Sequence, residues 1–527
     1  MSAARHQLTR FAAVFAGGTM LSRILGLVRD VVLLSAIPGP AKEIFFFAFK
    51  IPNMLRDMLG EGAVNAAYVP LFSRSLEQDG EEAFKRLVRA CLSATVLLFL
   101  LLTAVGILLV PLLPTALALL QPLTHADPLP QETLERTMEV LRWIIPYLFF
   151  IGTAVFAMGP LFVVKHYGTP SWAPMLLNIA LIASCLLLND YFADPVWALV
   201  TGVWIGGIAQ LIVLFLAMKR HTGVLLPSWE LGHPGVKQAL FLLLPVIVGQ
   251  ATGEVNKLVD AFFAFKLEAV TTLYAANRLI QLPLSIFGIA VAVAILPTIS
   301  AAGAREDRGE IRATLLHALR QSAFLVLPAL VALLVMGEEI VGLLFVHGGG
   351  EFTASDGHDA ALALFYYGLG LLSFTWVKVG VQGFFAIHDT RTPVIIATLS
   401  MALNIGLNML LVGPMGFRGL ALATSISFTA NFLGLYLLLG KRYGTLLSAE
   451  FLLGMAKLAV AAMLSAGALL LAQRTLPLEW LPGGAFGELL HVTALLGILA
   501  TTYLVSSLAL RVDDMAILKK LLRRRRA

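Results

Sequence analysis

A chain of 527 residues that is 58% hydrophobic, 13% charged and +0.86 in mean hydropathy has more apolar surface than a soluble core absorbs. Apolar runs long enough for a hydrocarbon layer about 30 Å thick recur along it, so a polytopic helical membrane protein is predicted and a large soluble domain is excluded. The formal charge of +6 does not point to nucleic acid, because the basic residues sit in short segments between the runs.

Fourteen transmembrane helices are predicted, near 8–38, 41–72, 86–121, 137–165, 171–190, 196–219, 236–265, 270–301, 312–346, 358–387, 392–412, 417–440, 449–473 and 485–510. Several exceed the roughly 20 residues a bilayer requires and are expected to tilt or project into water. The first is not a cleavable signal peptide: it is too long, holds Arg23, Arg29 and Asp30 in its apolar run and lacks a small-residue cleavage pattern. Cys91 and Cys185 lie in or beside spans, which suits neither a disulfide framework nor a zinc site.

Charges inside the spans are the functional signal. An ionisable side chain at mid-bilayer costs roughly 3 kcal/mol by insertion scales, so it faces other helices or a wet cavity. The first helix carries Arg23, Arg29 and Asp30 within MLSRILGLVRDVVLL (20–34); Arg23 and Asp30, seven apart, share a face. The second carries Lys50, Arg56, Asp57 and Glu61, with Pro52, Gly60 and Gly62 able to bend it. Glu254, Lys257 and Asp260 follow in the seventh, Arg278 in the eighth and Lys378 in the tenth.

Two readings of this set stay open. In one, ion pairs clamp helices 1, 2 and 8, with Asp30, Asp57 and Glu61 as partners, although buried pairs are a poor source of net stability. In the other, Arg23, Arg29, Arg56 and Arg278 form an anion site. Guanidinium forks bind phosphate oxygens bidentately and stay charged when desolvated, and a pyrophosphate needs several of them.

The loops alternate in sign. Arg74, Lys85, Arg86 and Arg89 belong to one set, with Lys165, Lys219, Arg220, Lys237, Arg305, Arg308, Arg312, Arg391, Lys441, Arg442 and the tail LKKLLRRRR. The other set is nearly bare of Lys and Arg and is acidic in QPLTHADPLPQETLE and HGGGEFTASDGHD. By the positive-inside rule the first set, and with it both termini, is cytoplasmic. The tail reads as an orientation signal beside anionic lipid.

An internal repeat accompanies this topology. ALVTGVWIGGIAQLIVLFLAMKR (198–220) matches ALATSISFTANFLGLYLLLGKR (421–442), and FKIPNMLRDMLGEGAVNAAYVPL (49–71) echoes NRLIQLPLSIFGIAVAVAILPT (277–298). The predicted architecture is two six-helix lobes, 1–222 and 223–442, followed by two further helices and the basic tail in 443–527. Repeated lobes are a common way to build a site that opens alternately to each side of a membrane.

LSRILGLVRD (21–30), FFFAFKIPNMLRDMLGEGAVNAAYVP (45–70) and YAANRLIQLPLSIFGIA (274–290) resemble the MurJ (MviN) lipid II flippase family of bacteria, within the multidrug/oligosaccharidyl-lipid/polysaccharide exporter superfamily. The resemblance covers essentially the whole chain. It implies an inner-membrane transporter, not an enzyme, that moves the undecaprenyl-diphosphate-linked peptidoglycan precursor from the inner to the outer leaflet. It also implies a cationic cavity between two lobes and a groove from helices 13 and 14 for the polyprenyl tail.

Carried over, the family's cavity arginines fall on Arg23, Arg29, Arg56 and Arg278, with Asp30 and Lys50 beside them. The acid usually written Asp before the Phe-Phe pair is Glu43 here, a methylene longer, and the acid that often precedes the eighth-helix arginine is Asn277. Glu61 and Gly62 match the family's E-G-A turn. Some relatives hold sodium between helices 7, 11 and 12, where Asp260, Asn404, Asn408 and Thr424 stand; plain interhelical hydrogen bonding is the competing reading.

No nucleotide-binding signature is present in the sequence, so membrane potential or an ion gradient is the expected drive, with no bound cofactor. The expected partners are lipid II and membrane lipid, and the expected state is a monomer. Gly26, Pro52, Gly60, Pro245, Pro283 and Gly288 are candidate hinges. A flippase for another polyprenyl-diphosphate glycan is the nearest alternative. An exporter of cationic drugs would call for a carboxylate-rich, aromatic cavity rather than four arginines.

Overall fold

The computed structural model describes residues 2–59, 67–124, 126–346, 350–476, 482 and 484–515, and among these every regular element is a helix. The chain is an all-α membrane protein. Ten helices among the described residues are long and apolar enough to cross a bilayer, or eleven when the bent pair Ala354–Gly368 and Leu371–Phe385 counts as one span. The expected spans that fall outside this count lie on the helices Ser2–Ala36, Gly39–Leu59 and Pro234–Lys266, each with some side chains outside the described set. Leucines such as Leu108, Leu119 and Leu410 stand more than two-thirds exposed along their helices. Such surface suits acyl chains and would be an aggregation hazard in water.

Several spans are broken where the sequence removes a backbone donor or the helix winding changes. Pro146 separates Gln131–Ile144 from Tyr147–Phe156, since proline has no N–H to continue the ladder. After Pro283 the helix Val270–Pro283 passes into a π-helical segment, Leu284–Ile289, before Ala290–Ala304; two of the expected hinges, Pro283 and Gly288, fall at this place. The bent pair turns by 43°. There Gly370 N–H bonds to Tyr367 O at 3.0 Å and leaves Tyr366 O to accept from the Ser425 hydroxyl at 2.6 Å. A Cβ on Gly370 would stand 2.7 Å from that hydroxyl oxygen, so the close approach requires glycine.

Packing divides the chain into two compact units, Met1–Thr271 and Thr272–Ala527. In the first, Ser2–Ala36 packs on Gly168–Leu188, which packs on Val196–Thr222. An aromatic core joins Tyr68, Phe72, Phe84 and Phe156. A Cβ on Gly152 would come within 2.2 Å of the buried Phe99 ring, so Glu81–Leu109 and Tyr147–Phe156 meet backbone to ring there. Pro234–Lys266 belongs to this unit: it packs on Gly39–Leu59, with Phe47 stacked on Phe265 at 4.2 Å. The compact division therefore falls one helix later than the repeat boundary at 222/223.

In the second unit, Trp376 Nε1 donates to Leu319 O at 3.0 Å and its ring lies 4.8 Å from Phe432. Ala449–Thr475 and Ala485–Ala509 pack on Arg308–Val335, so the last helix pair joins this unit. Tyr503 donates to Phe324 O at 3.0 Å, and Arg320 Nε meets the buried Asp514 carboxylate at 2.8 Å.

Within each unit the basic loops gather at one end. In the first, Arg86 pairs with Glu230 at 2.8 Å, and these residues line a cavity of about 680 Å³ with Arg74, Lys85, Arg89 and His233. His166 stacks on His221 at 4.0 Å, bringing the Lys165 loop to the Lys219–Arg220 helix end. Burial, helped by His221 and Arg220, pushes the His166 imidazole below its usual range. In the second unit, Arg312 donates to Thr445 O and Arg442 pairs with Asp389.

Candidate functional site

Gly18 brings Ser2–Ala36 against Gly168–Leu188: a Cβ there would lie 2.8 Å from Ser171 Cβ. The two helices run parallel, so Asn178, seven residues beyond Ser171, comes level with the stretch between Ser22 and Arg29. Arg29 Nη1 donates to Asn178 Oδ1 at 3.1 Å, and Asn178 Nδ2 donates to Ser22 O at 3.3 Å. The other edge of the guanidinium faces Asp30, with Nε and Nη2 at 2.9 and 2.5 Å from Oδ1. Asp30 is fully buried and the Arg29 side chain is 12% exposed. Arg23 shares Asp30's face by spacing; that face is covered at Asp30 and open at Arg23, whose side chain is exposed.

Gly39–Leu59 places its charges differently. Lys42, 2% exposed, donates to Leu34 O at 3.1 Å and so ties the end of the first helix to the start of the second. Glu43 accepts from the backbone N–H groups of Val270 and Thr271 at 2.8 and 2.7 Å. Its carboxylate sits at the first turn of Val270–Pro283, where the helix dipole favours an anion. Lys50 and Arg56 are half-buried further along. Glu61, and the side chain of Asp57, lie outside the described residues. Deeper in Pro234–Lys266, Lys257 pairs with Glu254 at 2.5 Å, and Asp260 accepts from Asn256 at 3.4 Å.

In the second unit Arg278 is half-buried and Lys378 exposed. Asn277, which stands where relatives often carry an acid, accepts from Gln281 at 2.5 Å. Asn404 and Asn408 are buried between Arg391–Met415 and Phe417–Tyr443. Asn408 Nδ2 donates to Asn404 Oδ1 at 3.1 Å, while Asn404 Nδ2 donates to Ser427 Oγ at 3.3 Å and faces Thr424 Oγ1 at 3.5 Å. These hydrogen bonds join the two helices through side chains buried between them. Asp260 belongs to the other unit.

Asn178, Lys42 and Lys266 were not among the candidate residues. Lys266, 4% exposed, donates to Asp127 O at 2.7 Å. Asn178 had a visible signal: it is a lone amide in the apolar run MLLNIALIASCLLL. Lys42 and Lys266 sit at helix ends, where a lysine reads as an ordinary interfacial anchor.

The family described as "Lipid II flippase MurJ" matches residues 38–490. A curated relative from Vibrio cholerae serotype O1, "Probable lipid II flippase MurJ", is 31% identical over 512 residues, 96% of this chain and 97% of its own length. Among solved structures, one described as "Lipid II flippase MurJ, inward closed conformation" superposes with a TM-score of 0.76 at 23% identity, covering 96% of this chain and 99% of its own. An inward-facing MATE family multidrug resistance transporter of the MOP superfamily gives 0.65 at 17% identity, covering 82% and 98%. These likenesses show the fold.

Proposed function

Because the chain belongs to the lipid II flippase MurJ family, we propose that it carries lipid II, the undecaprenyl-diphosphate-linked peptidoglycan precursor, from the inner to the outer leaflet of the bacterial cytoplasmic membrane. The observation that carries this reading is the match over nearly the full length of both chains. It is a transporter, and the remaining question is how its residues act.

Stripping a diphosphate of water carries a Born cost of order tens of kcal/mol in hydrocarbon. We infer that passage is by alternating access through a cationic cavity, in which arginine hydrogen bonds replace the lost hydration. Arg23, Arg29, Arg56 and Arg278 serve the diphosphate, with Lys50 adding charge and Asp30 and Glu61 orienting cations. Two placements support this. Arg23 is exposed on a helix that the sequence sets in the bilayer, and such a group needs water or an anion. Arg29 is held at two edges of its guanidinium. Glu43, by contrast, is proposed to act from the first turn of Val270–Pro283.

The gathering of basic loops at one end of each unit supports cytoplasmic termini. The proposed drive is the membrane potential, worth about 2.3 kcal/mol per charge per 100 mV. Asn404 and Asn408 are proposed to join their helices by hydrogen bonds, and a sodium site built with Asp260 and Thr424 is the alternative drive. The protein is proposed to act as a monomer.

The test is complementation in cells depleted of their own lipid II flippase, with Arg→Ala at 23, 29, 56 and 278. Loss of rescue by inserted variants is expected, and normal rescue by most of them contradicts the arginine assignment. Transport of purified lipid II against another polyprenyl-diphosphate sugar in vesicles tests the substrate: equal rates would transfer the proposal to the wider glycan class.

A further inference from the structure

We infer that Asn178 is a positioning residue for Arg29, and that its neutral amide is what keeps the Arg29–Asp30 pair able to receive a phosphate; this rests on the reading of Arg29 as a headgroup ligand. Asn178 is only 7% exposed, within an apolar helix, where an amide is costly unless both its ends are hydrogen-bonded. Both are. Nδ2 is anchored to Ser22 O, a backbone atom of the first helix, and this fixes where Oδ1 stands. Oδ1 then receives Arg29 Nη1 at 3.1 Å, so a side chain of one helix sets the plane of a guanidinium on another.

The residue type matters as much as the contact. Arg29 pairs with Asp30, and a neutral acceptor on the guanidinium's second edge adds no charge beside that pair. A carboxylate at 178 would accept the same bond, but would add a negative charge in a low-dielectric site and repel an incoming phosphate. The near-isosteric Asn178→Asp change therefore separates orientation and charge from packing. Asn178→Leu keeps the branched skeleton and removes both hydrogen bonds.

The experiment uses purified protein in vesicles, with initial transport rate followed against the mole fraction of lipid II for wild type, Asn178→Asp, Asn178→Leu and Arg29→Ala. A second readout needs no lipid II: peptide-mapped labelling of Arg29 by an arginine-selective dicarbonyl, with exposed Arg418 as the internal control. Asn178→Asp is expected to raise the half-saturating lipid II fraction about tenfold, the effect of one added negative charge near the incoming phosphate. Asn178→Leu is expected to raise it too and to change Arg29 labelling several-fold, with Arg418 labelling unaltered.

If Arg29→Ala is impaired while both Asn178 variants keep wild-type half-saturation and wild-type Arg29 labelling, the positioning role is overturned and the headgroup reading stands. If Arg29→Ala itself saturates like wild type, the headgroup reading fails and this proposal fails with it. Should Asn178→Leu not fold, Asn178→Asp decides the matter by the same two measurements.

Discussion

Replacing Glu43 by alanine removes the acceptor of two backbone N–H groups at once. The Val270 and Thr271 nitrogens lie 2.8 and 2.7 Å from its two carboxylate oxygens, lengths typical of charge-assisted bonds. Each is worth about 1.5–3 kcal/mol net, and water reaching the freed N–H groups returns part of that, so a loss of ~3 kcal/mol is expected for Glu43→Ala. Glu43→Gln keeps one carbonyl acceptor but turns an N–H toward the other backbone N–H, for ~2 kcal/mol. Glu43→Asp keeps the charge and loses reach, for ~1 kcal/mol. For a unit of this size ~2 °C per kcal/mol applies, giving midpoint losses of ~6, ~4 and ~2 °C in that order. Cys91 and Cys185 are free, buried and both in the first unit, so a thiol-reactive fluorescent probe reports its opening during a thermal ramp. A Glu43→Ala midpoint within about one degree of wild type would refute the capping argument.

Two further outcomes follow from the packing and the titration of the first unit. Gly152→Ala sets a Cβ 2.2 Å from the Phe99 ring, which is almost fully buried; a destabilisation of about 1–3 kcal/mol is expected in the same thiol assay, and an unchanged midpoint would mean the ring has room to withdraw. His166 is held below its ordinary 6.5 by burial, then by His221 and Arg220, so the folded chain binds fewer protons than the unfolded one between the lowered value and 6.5. Stability is therefore full above that window and falls as pH drops through it. His166→Gln should flatten the pH dependence of the midpoint, and identical curves for both proteins would contradict the assignment.

Helices and the charges set into them were legible in the sequence because the bilayer imposes them: a span must satisfy its own backbone, and a charge within it is conspicuous. The partners of those charges were harder to read. Spacing places Arg29 on a helix face but does not say that Gly168–Leu188 covers it, so Asn178, 149 residues away, went unnoticed. Glu43 was legible as an acid at a special place, yet its two donors lie 227 and 228 residues further on. The repeat suggested a boundary at 222/223. Side-chain packing such as Phe47 on Phe265 draws the compact boundary later, because a repeat records where helices correspond and not which neighbours they bury.

The 43° turn between Ala354–Gly368 and Leu371–Phe385 has a mechanical consequence. Tyr366 O leans on a hydroxyl from another helix, and acyl chains hold no spare donor to lend it while the bond is exchanged. Straightening would require Gly370 N–H to shift from Tyr367 O to Tyr366 O in the same movement that Ser425 lets go. The turn therefore behaves as a splinted joint that travels with its neighbours as one piece. Flexing within the second unit falls instead to the overwide coil at Leu284–Ile289, where helix winding already varies.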